Sequence, residues 1–399
     1  MKTAPASLER AGRGRRLSIV LFSAGIFLFW SGLYVYMPIL PVYAQKRGAS
    51  LALVGLITAS YGLSQLILRI PLGLASDRWG RRKPFVLAGL ATVAASSLVL
   101  AWAPSPAWLL AGRALAGVAA STWVAATVLL ASYFPPDQAL RASSIVSSMG
   151  AAAQMAATAS GGWLADVGGW LAPFYAGALI ALLGAVAMAG AADRPLARKN
   201  ASTRQTLQRV AGRPLLLVAS AIAAVGQFVS QSTTYGFVPV YAENVLGASR
   251  TALGGLTTLT TLPYTLGALG SASIARRLGA RRTLVLGLLL AAASTAAVPL
   301  ARSLPARRVV RLAFGLSYGL IYPVAMGLSI TGVPAEERAS AMGIFQALYA
   351  IGMFAGPALS GFLADRVGLP GMFWALSLLP LGAAFGVAAR LARILRAET

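Results

Sequence analysis

Long apolar runs alternate with short polar connectors along almost the whole chain. The runs are about 20 residues long, which is the length that an α-helix needs to cross the hydrocarbon core of a bilayer. The pattern therefore predicts an all-α integral membrane protein with twelve transmembrane helices, which lie near 17–38, 51–72, 84–103, 107–131, 142–164, 171–191, 214–238, 251–272, 283–301, 306–331, 340–363 and 371–391.

Composition agrees with a membrane location. Of the 399 residues, 57% are hydrophobic and 11% are charged, whereas about 25% of the residues of a soluble domain are charged. The net charge of +24 could indicate nucleic-acid binding, but the basic residues lie in short connectors rather than on a soluble basic face. We therefore expect contact with a lipid bilayer and no nucleic-acid partner.

The absence of Cys and His excludes several kinds of chemistry. The chain can form no disulfide, no thiolate or imidazole metal site, and no catalytic dyad based on Cys or His. All ten acidic residues lie in connectors or at the ends of predicted spans. The longest connector, 192–213, is too short for a separate domain. These features argue against the alternative of a membrane enzyme or receptor, and we expect no cofactor and no metal.

The distribution of basic residues predicts the orientation. Most of the 34 Lys and Arg residues lie in the two tails and the even-numbered connectors, and connectors rich in these residues stay on the cytoplasmic side. Both termini are therefore predicted to be cytoplasmic. Arg69, Arg113 and Arg311 lie inside predicted spans. Arg69 and Arg311 are near span ends, so we expect their side chains to extend to the membrane surface.

Internal repeats divide the chain into two halves. Four short segments recur at an offset of 198 or 199 residues: PVYAQ at 41–45 as PVYAE at 239–243, GAS at 48–50 as GAS at 247–249, RALAG at 113–117 as RLAFG at 311–315, and LAD at 164–166 as LAD at 363–365. Such repeats indicate two related bundles. We predict six helices in 1–192, a cytoplasmic linker at 193–213, and six helices in 214–399.

The connector after the second predicted span carries a dense motif, GLASDRWGRRKP, at 73–84. Its spacing resembles the signature loop of the major facilitator superfamily, Gly-x-x-x-Asp-Arg-x-Gly-Arg-Arg. This resemblance implies two bundles that expose a central cavity to each side of the membrane in turn. It also implies that the loop acts as a conformational switch, with the matching residues Gly73, Asp77, Arg78, Gly80, Arg81 and Arg82.

The fourth predicted span carries a charge well inside the apolar run. Arg113 lies about 9 Å from the span end at the helical rise, and a charge at that depth is costly and commonly functional. Arg113 and Gly117 resemble an Arg-x-x-x-Gly motif that is linked to proton transfer in exporters, which implies a coupling role for Arg113. A second exporter motif is better preserved in the eleventh span than in the fifth. The glycines and the proline predicted to pack helices together are Gly117, Gly352, Gly356 and Pro357.

Polar and aromatic residues interrupt several of the apolar runs. In the superfamily the first, fourth, seventh and tenth helices line the cavity. Gln227 and Gln231 share one face of the seventh span, and amide groups need partners in hydrocarbon, so either a cavity or hydrogen bonds between helices can explain them. The residues predicted to line a substrate cavity are Trp30, Tyr34, Gln227, Gln231, Tyr235 and Tyr318.

The resemblance is strongest to the twelve-span exporters. It implies a monomeric secondary transporter in the plasma membrane that exports drug-like or metabolic compounds in exchange for protons. However, the first span lacks the acidic residue that many multidrug members carry, and the lone Arg113 favours an anionic or neutral substrate. An uptake or exchange carrier for sugars or organic anions therefore remains the alternative.

Overall fold

The computed structural model describes residues 6–134, 139–193, 204–334 and 337–398, and every regular element within them is a helix. Eight stretches of these residues are long and apolar enough to cross a membrane. The chain is therefore an all-helical, multi-pass membrane protein. The eight stretches are Gly14–Tyr34, Leu51–Ser76, Lys83–Ala101, Pro106–Ala131, Ala172–Ala189, Pro214–Leu246, Leu304–Ser329 and Ser340–Ala389.

The helices follow the predicted runs closely, although several run past the predicted ends. We number them in chain order: α1 (Ala6–Tyr34), α2 (Leu40–Lys46), α3 (Leu51–Trp79), α4 (Lys83–Ala101), α5 (Pro106–Ser121), α6 (Trp123–Ala131), α7 (Ala139–Gly168), α8 (Ala172–Ala189), α9 (Arg204–Ala211), α10 (Pro214–Ser232), α11 (Val238–Leu246), α12 (Arg250–Leu278), α13 (Ala280–Ala296), α14 (Leu304–Ser329) and α15 (Arg338–Glu398).

The first predicted span is longer than expected and is broken. A turn separates α1 from α2, where Pro38 and Pro41 supply no backbone N–H for a continuous helix. Its counterpart in the second half is also interrupted, because a π-helical turn at Thr233–Phe237 separates α10 from α11. Both interrupted helices extend about two turns beyond the predicted ends at 38 and 238.

The connector that carries the signature motif is shorter than predicted. Helix α3 continues through Trp79, and α4 begins at Lys83. Only residues 80–82 lie between the two helices, and Gly80 has a φ of 70° there, which favours glycine. Because nothing in 75–79 prevents it, the helix continues beyond the end of the apolar run into the polar region.

Helix α15 bends sharply near its middle. Gly368 has a φ of 72° and a ψ of 166°, which no helix contains. This glycine divides α15 into a first arm, residues 338–367, and a second arm, residues 369–398. The two arms correspond to the last two predicted spans.

The two halves of the chain pack through helices that contain glycine. Helix α3 packs against the first arm of α15, where the backbones of Gly55 and Gly361 meet. Helix α7 packs against α12, where the backbones of Gly162 and Gly254 meet. Small residues allow this close approach in membrane proteins. Both crossings therefore depend on glycine at equivalent places in the repeat.

The internal repeat is present in the backbone as well as in the sequence. Positive φ angles occur at Gly48 and Gly247, at Gly80 and Gly279, and at Gly169 and Gly368. The two members of each pair are separated by the same offset as the repeated motifs. The two halves therefore share turn geometry at three positions along the chain.

Candidate functional site

A cavity of about 340 Å³ lies between the two halves. This volume is at the lower end of the range for small-molecule sites. Helices of both halves form its wall, so relative movement of the halves would reshape it. The structure places on this wall all six of the side chains that the sequence pattern assigns to a substrate cavity: Trp30, Tyr34, Gln227, Gln231, Tyr235 and Tyr318.

Aromatic rings cover much of the cavity wall. The rings of Trp30 and Trp123 meet edge to face, with centroids 5.0 Å apart. Tyr34 of the first half lies 5.9 Å from Tyr235 of the second half. Within the second half, the ring of Tyr318 stacks on that of Tyr264, with centroids 5.3 Å apart. A ligand in this cavity would therefore contact flat ring surfaces from both halves.

Several residues of the wall lie outside the first, fourth, seventh and tenth spans and were not predicted. Three of them, Tyr61, Gln65 and Arg69, lie on α3 at a spacing of four residues. That spacing places them on one helix face, so a search for polar residues four apart within an apolar run would have found them. The others include Gln154 of α7, Tyr264 of α12, and Gln346 and Tyr349 of α15.

Arg69 does not extend to the membrane surface, so that prediction is wrong. Its Nη1 atom donates a hydrogen bond to the hydroxyl of Tyr349 at 2.9 Å, and its Nη2 atom donates to Oε1 of Gln65 at 2.9 Å. Tyr349 belongs to the second half, and its acceptor oxygen draws the guanidinium into the cavity. Within the described ranges, Arg69 is the one charged side chain on the wall.

Arg113 lies behind the wall rather than on it. The side chain is 3% exposed, and its guanidinium lies 4.0 Å from the ring centroid of Tyr61, which does line the cavity. The neighbouring Gly117 lets α5 approach α3, because a Cβ atom at this position would overlap the carbonyl of Tyr61. Arg113 can therefore affect the cavity through the Tyr61 ring.

Arg311 also fails to reach the surface, contrary to the prediction. Its side chain is 2% exposed, its Nε atom donates to the Thr260 hydroxyl at 2.8 Å, and its Nη2 atom donates to the Thr234 hydroxyl. Arg311 lies seven residues after the start of α14, which is about 10 Å along the helix. Two nearby hydroxyl acceptors therefore hold it in the interior.

Two aspartates join the halves at the end of the molecule where α3 and α12 begin, which we call the capped end. The carboxylate of Asp365 accepts from the backbone N–H groups of Leu51 and Ala52, each at 3.0 Å. The carboxylate of Asp166 accepts from the N–H groups of Arg250 at 3.3 Å and Thr251 at 2.8 Å. Each aspartate therefore caps the first turn of a helix in the other half, where negative charge is favourable.

The environment of Asp166 favours its charged form. Partial burial alone would raise the pKa of this carboxyl group. Hydrogen bonds from the side chain and backbone of Thr251 and from the backbone of Arg250 outweigh that effect, so the pKa lies below its usual value. Near this cap, Lys46 of the first half pairs with Glu243 of the second half at 2.6 Å.

The signature residues lie at the other end of the molecule. Gly73 is in the last turns of α3, Arg78 and Arg81 are exposed, Gly80 forms the turn, and Arg82 is the residue before α4. The side chain of Asp77 lies outside the part of the chain that the structure describes. The role of this loop as a conformational switch stays a prediction.

The packing residues predicted in the eleventh span lie at a helix crossing. A Cβ atom at Gly352 would overlap the carbonyl of Ala224, and one at Gly356 would overlap that of Phe228. The carbonyl of Pro357 occupies the space next to Gly55 of α3. The first arm of α15 is therefore in close contact with both α10 and α3.

The all-helical fold, the interrupted apolar helices and the central cavity between two related halves define a membrane transporter. A family model described as Major Facilitator Superfamily matches residues 22–247 and 220–398. The chain belongs to this superfamily, and it is a transporter rather than an enzyme.

Relatives of similar length support this assignment. The chain is 27% identical over 359 residues to the uncharacterized MFS-type transporter YceJ of Bacillus subtilis, across 86% of this chain and 88% of the relative. It is 24% identical to the multi-drug resistance efflux pump PmrA homolog of Lactococcus lactis, across 89% and 93%. A bacterial homolog of the human lysosomal transporter Spinster, in an inward-facing and unoccupied conformation, has the same fold, with a TM-score of 0.81, 18% identity, and coverage of 96% and 98%.

Proposed function

We propose that this chain is a monomeric secondary active transporter that moves a small organic compound across the plasma membrane by alternating access. The proposal includes twelve transmembrane helices, six in 1–192 and six in 214–399. It also includes a cytoplasmic linker at 193–213 and cytoplasmic termini. The capped end then faces away from the cytoplasm, and the signature loop faces the cytoplasm.

One observation carries the proposal: the central cavity lies between halves that are joined at the capped end. Within the described ranges, the hydrogen bonds between the halves include the Asp166 and Asp365 caps, the bonds of Gln154 to Tyr235 and of Thr158 to Thr258, and the bond between Arg69 and Tyr349. Access from the capped side therefore requires both caps to break. Access from the signature side leaves them intact, so the two sides can open in turn.

Export in exchange for protons is the direction that we propose. The similarity to an efflux pump over most of the chain supports it. In this scheme the signature residues act as the switch, and Arg113, through its contact with the Tyr61 ring, couples proton movement to transport. The wall itself holds no Asp or Glu among the described residues. Proton transfer would therefore involve Asp77, or water next to Arg113.

The test uses everted membrane vesicles in which respiration drives a proton gradient that a pH-sensitive dye reports. We expect a transported compound to dissipate the gradient with the intact protein and to do so less with Asp77→Asn. Vesicles without the protein provide the background. If no compound in a broad panel of cations, neutral compounds and anions changes the gradient, proton-coupled export is wrong.

An uptake or exchange carrier for sugars or organic anions is the second candidate. The specific observation in its favour is the wall of tyrosine and glutamine side chains, which suits a ligand that forms many hydrogen bonds. Counterflow of radiolabelled sugars or organic anions into proteoliposomes tests it. Counterflow without any effect on a proton gradient would favour this carrier over the exporter.

A further inference from the structure

The charge of the cavity is unbalanced. Arg69 is the one charged side chain on the wall within the described ranges, and a guanidinium stays protonated at any physiological pH. Its two hydrogen bonds go to the neutral acceptors Tyr349 and Gln65. Among the described residues of the wall, no carboxylate balances this positive charge.

The cavity also has a surplus of hydrogen-bond donors. Arg69 must donate to the oxygen of Gln65, because a guanidinium has no acceptor, and this leaves the Gln65 Nε2 amide group facing away from Arg69. Gln65 is 3% exposed. Gln65 Nε2, Arg69 Nε and Trp30 Nε1 are all buried and have no acceptor among the described residues. Buried donors without partners are destabilising, so a rotation of these side chains toward a ligand rich in acceptor atoms would be favourable.

The rest of the nearby wall is aromatic. The Arg69 guanidinium lies 5.9 Å from the ring centroid of Tyr349, and the rings of Tyr349 and Tyr322 meet edge to face with centroids 5.8 Å apart. Both rings line the same cavity as Arg69, and so does the ring of Tyr318, whose centroid is 5.8 Å from that of Tyr322. Flat apolar surfaces of this kind bind the face or edge of a ring.

We propose that the cavity binds an aromatic carboxylate, with its carboxylate group at Arg69 and Gln65 and its ring against Tyr318, Tyr322 and Tyr349. This inference rests on the proposed function, because it assigns the substrate class of the same cavity. Two acceptor oxygens in one plane match the fork of a guanidinium. An aromatic cation could contact the rings, but it would be repelled by Arg69.

The experiment compares matched ligands that differ only in charge. Binding of 2-naphthoate, 2-naphthamide and 2-naphthylmethylamine to the purified full-length chain is measured by isothermal titration calorimetry, and cyclohexanecarboxylate tests the need for a planar ring. We expect 2-naphthoate to bind roughly tenfold or more tightly than the amide and the amine to be weakest. Equal or tighter binding of the amine or the amide would overturn the inference, and so would an absence of saturable binding by 2-naphthoate.

Two variants test the position of the anion. Arg69→Gln is expected to weaken 2-naphthoate binding roughly ten- to hundredfold and to leave the weak amide binding almost unchanged. Arg69→Lys should retain part of the preference for the anion. Arg308→Gln is the matched control, because Arg308 is exposed at the start of α14. Equal losses for the anion and the amide in Arg69→Gln would indicate a structural defect and would contradict the assigned position.

The two proposals can fail separately. If 2-naphthoate binds through Arg69 but neither vesicles nor proteoliposomes transport any compound, the ligand class stands and the transport function is wrong. If other compounds are transported and do not compete with 2-naphthoate, transport stands and the ligand class is wrong.

Discussion

Arg113 and Arg311 occupy equivalent positions in the two halves, yet their surroundings differ. Each lies at the same distance from the start of its own helix. Each also precedes a glycine that packs against a backbone carbonyl, which belongs to Tyr61 in the first half and to Thr260 in the second half. Arg113 lies over the Tyr61 ring, whereas Arg311 donates to the Thr260 hydroxyl. The two halves therefore share the crossing and the charge, while their different partners make Arg113 a ring contact and Arg311 a hydrogen-bonded anchor.

The cavity shows the same divergence. Arg69 lies on the α3 face that lines the cavity, but the equivalent position on α12 is Ala268. Gln65 corresponds to Tyr264, which also lines the cavity. The first half therefore supplies the charge of the site, and the second half supplies mainly rings and neutral polar groups. Functional asymmetry of this kind requires few substitutions on a shared scaffold.

The largest expected effect tests the part that the halves share. Gly117→Leu and Gly315→Leu should each destabilise the fold by about 3 kcal/mol or more, because the added side chain meets a backbone carbonyl that cannot move aside. Thermal unfolding and size-exclusion profiles of the detergent-solubilised variants measure this. Gly327→Leu on α14 is the control, since a Cβ atom there meets open space. If either variant behaved like the wild type, the helix crossings at Gly117 and Gly315 would not be equally close.

The next effect tests the part that differs. Thr260→Val removes an acceptor from the buried Arg311 and should lower the free energy of unfolding by about 1–3 kcal/mol. Tyr61→Phe keeps the ring beneath Arg113 and should lower this energy less than Thr260→Val does. Unfolding midpoints of the two variants provide the comparison. Adding Arg311→Met to Thr260→Val should recover part of the loss, and no recovery would show that the hydroxyl acts independently of Arg311.

A smaller effect concerns the two caps. Asp166→Asn and Asp365→Asn should each weaken the closure of the capped end by about 0.5–2 kcal/mol. The chain has no native Cys, so spin labels at Trp102→Cys and Val245→Cys can report the distance between the halves. We expect a larger population of long distances in both variants. A change in only one variant would mean that a single cap controls closure.

The smallest expected effect is a dependence on pH. The pKa of Asp166 is lowered from its ordinary value of 3.8 in the folded protein, so its contribution to stability is present above about pH 4. That contribution is lost as the pH falls through the lower, folded pKa. The long-distance population should therefore rise below about pH 4 in the wild type and rise less in Asp166→Asn. If the wild type and Asp166→Asn responded identically to acid, titratable groups other than Asp166 would be the cause of the opening.

Sequence patterns predicted the repeated scaffold better than the site. Apolar runs placed the helices, and the offset between motifs identified equivalent positions such as Gly48 and Gly247, because local composition and spacing largely determine both. The destinations of the Arg69 and Arg311 side chains depend on acceptors far away in the chain, Tyr349 and Thr234. The repeated LAD segments were recognisable as a pair, but that each aspartate caps a helix of the other half follows only from the packing of the halves.

The reciprocal caps have the form of an isologous interface between two identical subunits. In such an interface, residue i of one subunit contacts residue j of the other, and residue j of the first contacts residue i of the second. Asp166 and Asp365 meet this rule, as do the glycine pairs beside them. The capped end therefore has the geometry of a homodimer contact within one polypeptide. Because its two copies are now encoded separately, each can be altered without changing the other.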